Sequence, residues 1–116
     1  MIGFVATPPF GSVVAVGTGG TMVELQEDRA VRLAPIEIDD ATQMIEATRL
    51  GKMLRGYRHL IPETDTSQLA DLVVRASRLA ADLGDLISAC DLNPVLVRKG
   101  SGEVRLVDAL MLSGES

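Results

Sequence analysis

The chain has 116 residues, of which 47% are hydrophobic and only 3% aromatic, and its formal net charge is −5. That composition describes one small packed domain with an aliphatic core rather than a disordered segment. The acidic balance argues against a nucleic-acid or anionic-membrane surface, and the single cysteine, Cys90, excludes an internal disulfide and a cysteine-rich zinc site. A cytoplasmic location is expected. No run approaches the ~18 apolar residues of a membrane span, and MIGFVATPPFGS lacks the positive start of a signal peptide.

Residues 1 to 11 read as an extended lead-in, because Pro8 and Pro9 forbid helix there. The domain proper is expected over residues 12 to 112, with 113 to 116 as a tail. Ser12 to Val16 is a β-branched strand, and GTGGT, residues 17 to 21, a glycine turn. Met22 to Gln26 and Ala30 to Ala34 are expected to form a hairpin around Glu27, Asp28 and Arg29. Its hydrophobic pattern puts Val31 and Leu33 on a buried face, and sets Glu24 opposite Arg32 on the other.

EIDDATQMIEATRL, from Glu37, has helical spacing, with Ala41, Met44, Ile45 and Thr48 on one stripe. Its acids cluster at the start, where the helix dipole favours them. A longer helix follows, with Asp65 and Gln68 as its expected capping box and Gly84 as its stop. Its stripe runs through Leu69, Leu72, Val73, Ala76, Leu79, Ala80 and Leu83. ACDLNPVLVRKGSGEVRLVDAL, residues 89 to 110, closes the chain as a hairpin. Strands followed by helices and then strands predict an α+β domain: a largely antiparallel sheet of about five strands, with two helices on one face.

In the closing hairpin, a two-residue turn at Gly100-Ser101 is expected to be type II′. Counting outward sets Asn93 directly opposite Asp108, with Asp91 on the same face. Val95, Val97, Val104, Leu106 and Leu110 are expected on that face, away from the helices. Cys90, Leu92, Leu96, Val107, Ala109 and Met111 are assigned to the helix side. Two readings of the three oxygen-bearing residues are open. Asn93-Pro94 marks a turn with solvated carboxylates, or Asp91, Asn93 and Asp108 hold a hard cation such as Mg²⁺ or Mn²⁺.

At these residues the chain resembles a known family. DLNPVLV followed by RLVDA resembles the closing hairpin of ATP-grasp enzymes, and most of all NDP-forming acyl-CoA synthetases related to the succinyl-CoA synthetase β subunit. FGSVVAVGTGGTMVELQEDRAVRLAP and LRGYRHLIP extend the likeness over nearly the whole chain. Ser12 stands where the family usually has Pro, His59 where Gly is common, and Ala89 where a further Glu is frequent. The resemblance implies the C-terminal ATP-grasp subdomain, half of the full fold. Asn93 and Asp108 become ligands of Mg²⁺ (or Mn²⁺) bound with ATP or ADP, and Asp91 an accessory ligand or a group that supports the ligands from behind.

The implied partners are the nucleotide, the missing N-terminal subdomain, and the CoA-binding domain or subunit that carries the phosphorylated histidine. His59 does not match that histidine and is read as a surface residue. Arg32 is the phosphate candidate, with Glu24 opposite it; an ordinary ion pair between them is the other reading. Gly19 and Gly20 form either a tight turn or a close backbone approach to phosphate. Cys90 has no neighbouring base and is discounted as a nucleophile. No turnover is expected of the chain alone. A homodimer through the apolar face of the closing hairpin is expected. The alternative is a non-catalytic interaction module that keeps the fold.

Overall fold

The computed structural model describes residues 1–18, 28–54, 56 and 63–113. The strands are β1 (Ile2–Ala6), β2 (Ser12–Gly17), β3 (Arg29–Leu33), β4 (Ile87–Leu92), β5 (Val95–Val97), β6 (Val104–Leu106) and β7 (Ala109–Ser113). The helices are α1 (Ile38–Glu46), α2 (Arg49–Leu54) and α3 (Ser67–Leu83). Five strands form an antiparallel sheet in the order β3-β2-β1-β4-β7, and β5 and β6 form a separate two-stranded ribbon. The α+β class with helices on one face is as expected.

The apolar periodicities put the core where the sequence places it. Ala41, Met44, Ile45 and Thr48 are all buried, as are Leu69, Val73, Ala76 and Ala80. They meet Ile2, Phe4, Val14 and Val16 from the sheet. α3 lies over β1 and β2, and α1 over β2 and β3. Ser77, fully buried on α3, accepts the Ile36 N–H at 3.1 Å and donates to the Val74 carbonyl at 2.7 Å. One hydroxyl thus satisfies a backbone donor that neither helix nor sheet supplies with a partner.

Several expectations are corrected. The lead-in contains β1, which sits at the centre of the sheet, and Pro8 and Pro9 belong to the β1–β2 turn. Val31 and Leu33 are 44% and 59% exposed, not buried; Ala30 points to the core instead. Among the described residues, Val31 and Leu33 lie on the sheet face that no helix covers, and β3 pairs with β2; its expected hairpin partner, Met22 to Gln26, lies outside them. The first helix divides after Glu46, and α2 starts afresh at Arg49. Gln68 does not complete a capping box. Asp65 accepts the Ser67 N–H at 2.9 Å, while the Gln68 amide oxygen accepts the Val104 N–H at 3.2 Å.

The closing hairpin keeps its expected register, with Leu92 opposite Ala109, Val95 opposite Leu106 and Val97 opposite Val104. Its tip is tighter than a type II′ turn: the Ser101 N–H bonds the Lys99 carbonyl at 3.1 Å around Gly100. The ladder is interrupted at Pro94, which has no N–H to give. Beyond it the free ribbon twists away from the sheet, as two-stranded ribbons do. The expected faces therefore reverse there. Val95, Val97 and Val104 pack against the core, while Leu96 and Val107 are exposed. Met111 is also exposed, although it lies on the helix side.

Candidate functional site

The sheet has one face covered by helices and one left open. Strand alternation and the register decide which side chains share the open face. One row across it runs Val31, Ala15, Gly3, Asp91, Leu110. Along the same strands, Arg29 lies two residues before Val31, and Asn93 two residues after Asp91. Both therefore project to this side.

A groove of about 620 Å³ follows these rows, with Arg29, Asp91 and Asn93 in its wall and Gly3 and Ala15 in its floor. The floor is low because its residues are small. A Cβ at position 3 would come within 2.8 Å of the Cys90 carbonyl oxygen, so only glycine fits beside β4 there.

Asp108 lies across the closing hairpin from Asn93. The Asn93 N–H donates to the Asp108 carbonyl at 3.2 Å, so main-chain pairing sets the two residues across from each other. The Asp108 carboxylate uses Oδ1 to accept the Ala109 N–H at 2.8 Å. Asp91 and Asp108 are exposed and Asn93 is half-buried. Among the described residues no three or more His, Cys, Asp or Glu side chains gather into a metal cluster. Asp91 and Asn93 line the open groove, and Asp108 lies across the hairpin from Asn93 through main-chain pairing. That donor set fits a hard divalent cation that keeps positions for water or phosphate.

Arg32 is not on this face. It pairs with Val14, which is fully buried on the helix side, and its guanidinium donates to the Val31 carbonyl at 2.8 Å. The cation brought to the groove is Arg29, read from sequence as a loop residue. Four strands separate Arg29 from Asn93 inclusively, about 14 Å at ordinary strand spacing. The signal for it was its spacing of two from Val31, legible once Gly17 is known to pair with Arg29. Gly19, Gly20 and Glu24 lie outside the described residues, as do Arg55, Tyr57, Arg58 and His59.

A second missed residue is Asp28, buried where the chain re-enters the sheet. It accepts the Thr18 hydroxyl and the Arg49 N–H, the latter at 2.9 Å, while Thr18 accepts the Leu50 N–H at 3.2 Å. The pair joins the end of β2 to the start of α2. Burial disfavours the Asp28 charge, yet these hydrogen bonds and the charges of Arg49 and Lys52 hold the carboxyl below its ordinary range. Cys90 is a buried free thiol whose ionisation is pushed up, by burial first and then by the Asp91 charge. It is no poised nucleophile.

A family profile described as the ATP-grasp domain matches residues 1–112. The chain belongs to the ATP-grasp family. This ATP-grasp chain is 37% identical over 115 residues to the β subunit of an ADP-forming acetate–CoA ligase of Pyrococcus furiosus, covering 98% of its own length and 48% of the relative's. It is 36% identical over 115 residues to an ADP-forming acetate–CoA ligase of Archaeoglobus fulgidus, covering 16% of that protein.

Among solved structures, a Pyrococcus horikoshii protein superposes with a TM-score of 0.84 at 33% identity, over 97% of this chain and 46% of that one. An acetyl-coenzyme A synthetase of Candidatus Korarchaeum cryptofilum, solved with coenzyme A and Mg-AMPPCP, superposes with a TM-score of 0.81 at 34% identity, over 97% of this chain and 51% of that one. The chain thus spans about half the length of the β subunit it matches, and far less of the longer relative. Among the described residues no helix is long and apolar enough to cross a membrane.

Proposed function

We propose that this chain supplies the Mg-nucleotide phosphate wall of an NDP-forming acyl-CoA synthetase. The reaction is acyl-CoA, NDP and phosphate to carboxylate, CoA and NTP through a phosphohistidine. The observation that supports the reading is the groove on the helix-free face, with Asp91, Asn93 and Arg29 in its wall, a low floor, and Asp108 paired with Asn93 through the main chain.

Asn93 and Asp108 would hold the cation, with Asp91 as accessory ligand. A divalent cation bound there neutralises phosphate charge and fixes its orientation. Arg29 offers its guanidinium to phosphate oxygens, and Gly3 and Ala15 leave room for a ligand to lie flat on the sheet. Glu24, Gly19 and Gly20 remain proposed phosphate contacts from the resemblance, and the role proposed there for Arg32, which lies on the helix side of β3, passes to Arg29. The histidine, the CoA site and the other nucleotide wall belong to partner domains or subunits, so the lone chain is proposed to have no turnover. A cytoplasmic location is part of this reading.

Titration of the folded chain with Mg²⁺ or Mn²⁺, with and without ADP, tests it by amide NMR. The expected result is shifts centred on residues 91 to 93 and 108, lost in Asn93→Ala and Asp108→Ala. Silence at millimolar metal and nucleotide would favour the second reading, a non-catalytic interaction module. The apolar surface left uncovered at β7 is the feature that speaks for that reading and for self-association.

A further inference from the structure

The closing hairpin is built of two segments with a joint between them. The β4–β7 ladder stops at Leu92 opposite Ala109, and the ribbon ladder starts at Val95 opposite Leu106. Two main-chain bonds make the joint, from the Asn93 N–H to the Asp108 carbonyl at 3.2 Å and from the Val107 N–H to the Pro94 carbonyl at 3.1 Å. Asn93 and Asp108 therefore sit in the joint itself. Any tilt of the ribbon against the sheet changes their separation.

What holds the ribbon at its angle lies toward its other end. Val95, Val97 and Val104 seat its inner face on the core, but apolar contact is non-directional and leaves sliding open. Among the described residues, direction comes from hydrogen bonds to the start of α3 and the residues before it. At the tip, the Gly100 N–H donates to the Thr64 hydroxyl at 3.0 Å, and the Asp65 N–H to the Gly100 carbonyl at 3.2 Å. Along β6, the Val104 N–H donates to Gln68 Oε1 at 3.2 Å. The register explains that last bond. The Arg98 N–H pairs with the Glu103 carbonyl at 2.9 Å, which leaves Val97 and Val104 a non-hydrogen-bonded pair with the Val104 N–H turned outward.

Thr64 is buried and Gln68 exposed. Beside Gln68, a groove of about 460 Å³ separates α3 from β6, lined by Asp71, Leu72, Arg75 and Leu106. The groove leaves the ribbon room to tilt, and Gln68 bridges it. Water satisfies an N–H at an exposed edge about as well as a side chain does, so this bond contributes position more than stability.

We propose that Gln68 is a positioning residue for the cation site: by holding β6 it fixes the tilt of the ribbon, and with it the spacing of Asn93 and Asp108. Its bond at Val104 lies four residues from Asp108, about 13 Å at ordinary strand rise. Gln68 thus acts through the ribbon and touches neither cation nor nucleotide. The inference rests on the reading of Asn93 and Asp108 as cation ligands.

Gln68→Met, of equal length but without an acceptor oxygen, and Gln68→Glu, which keeps one, test it in the full chain. The probe is Mn²⁺, read by paramagnetic relaxation of the amides of residues 91 to 93. Gln68→Met should weaken Mn²⁺ binding about fivefold or more, and Gln68→Glu should stay within about twofold. Tm of both should stay within about 4 °C of the parent, as for a surface change. In metal-free samples, residual dipolar couplings of residues 95 to 97 and 104 to 106 should show the ribbon reoriented in Gln68→Met and not in Gln68→Glu. Parent-like binding by Gln68→Met, equal loss in both variants, or an unmoved ribbon in Gln68→Met overturns the proposal. Coupling is reciprocal, so saturating Mg²⁺ should slow exchange of the Val104 amide severalfold in the unmodified chain; exchange indifferent to Mg²⁺ overturns it as well. A parent that binds no Mn²⁺ sinks the cation reading and this role together, whereas a parent and Gln68→Met that bind alike sink the positioning role alone.

Discussion

Asn93 stands directly across the closing hairpin from Asp108, its backbone N–H bonded to the Asp108 carbonyl at 3.2 Å. The main chain, not a side-chain contact, sets the two residues across from each other. Asn93→Ala should therefore leave stability within about 0.5 kcal/mol of the parent, as surface changes do, while cation affinity falls at least tenfold. Thermal unfolding and Mn²⁺ relaxation enhancement on the same sample separate the two effects. Equal loss of both would show that Asn93 is structural.

Arg29 and Arg32 are three residues apart on the same strand and point to opposite sides of the sheet. Only Arg29 lies in the groove wall. Arg29→Ala should weaken ADP binding severalfold in the presence of Mg²⁺, and Arg32→Ala should change it less than twofold. Calorimetric titration of both variants checks this. The reverse ranking would return the phosphate contact to Arg32.

Gly102, at φ +75°, packs its α-carbon against the backbone of Asp65, where an added Cβ would overlap the carbonyl. Gly100 donates its N–H to the buried Thr64 hydroxyl at 3.0 Å, so the hairpin tip is pinned to the start of α3. Gly102→Ala faces both the overlap and the left-handed backbone, together roughly 2 kcal/mol or more. A fall in Tm on the order of 10 °C is expected. Gly100→Ala meets no atom within 4 Å; it carries the backbone cost alone and should fall less.

Asp28 caps the start of α2 through the Arg49 N–H. Replacing a cap of this kind costs about 1 kcal/mol, so Asp28→Ala should lower stability by that order at neutral pH. Because the folded carboxyl is held below its ordinary range, its ionisation stabilises the fold above the unfolded carboxylate pKa. That contribution is lost as pH falls through the folded value. The difference between parent and Asp28→Ala should thus be flat from pH 5 to 7 and shrink below about pH 4. Urea unfolding at several pH values measures it; a difference that grows on acidification would contradict the cap's charge.

The residues of the closing hairpin were legible in advance because every step of that inference is local. The tip glycines fix the count, and the count places Asn93 against Asp108. The helix stripes were legible for the same reason, since Met44, Ile45, Leu69 and Val73 lie at helical spacing within single elements. Arg29 was not. Its placement depends on β2 and β3 pairing around a segment whose length does not specify register. Asp28 was missed because its partners, Thr18 and Arg49, are brought near it only by the fold.

By itself, then, the sequence determined the fold class, the two amphipathic helix stripes and the hairpin register that sets Asn93 across from Asp108. Tertiary structure alone decided that β1 lies at the sheet's centre, that Arg29 rather than Arg32 lines the groove, that the ribbon beyond Pro94 turns its valines inward, and that β7 is left bare. The reason is physical. Periodicity states that one face of a strand is apolar, but whether anything covers that face depends on strand order and helix footprint, which are long-range contacts that no local pattern encodes.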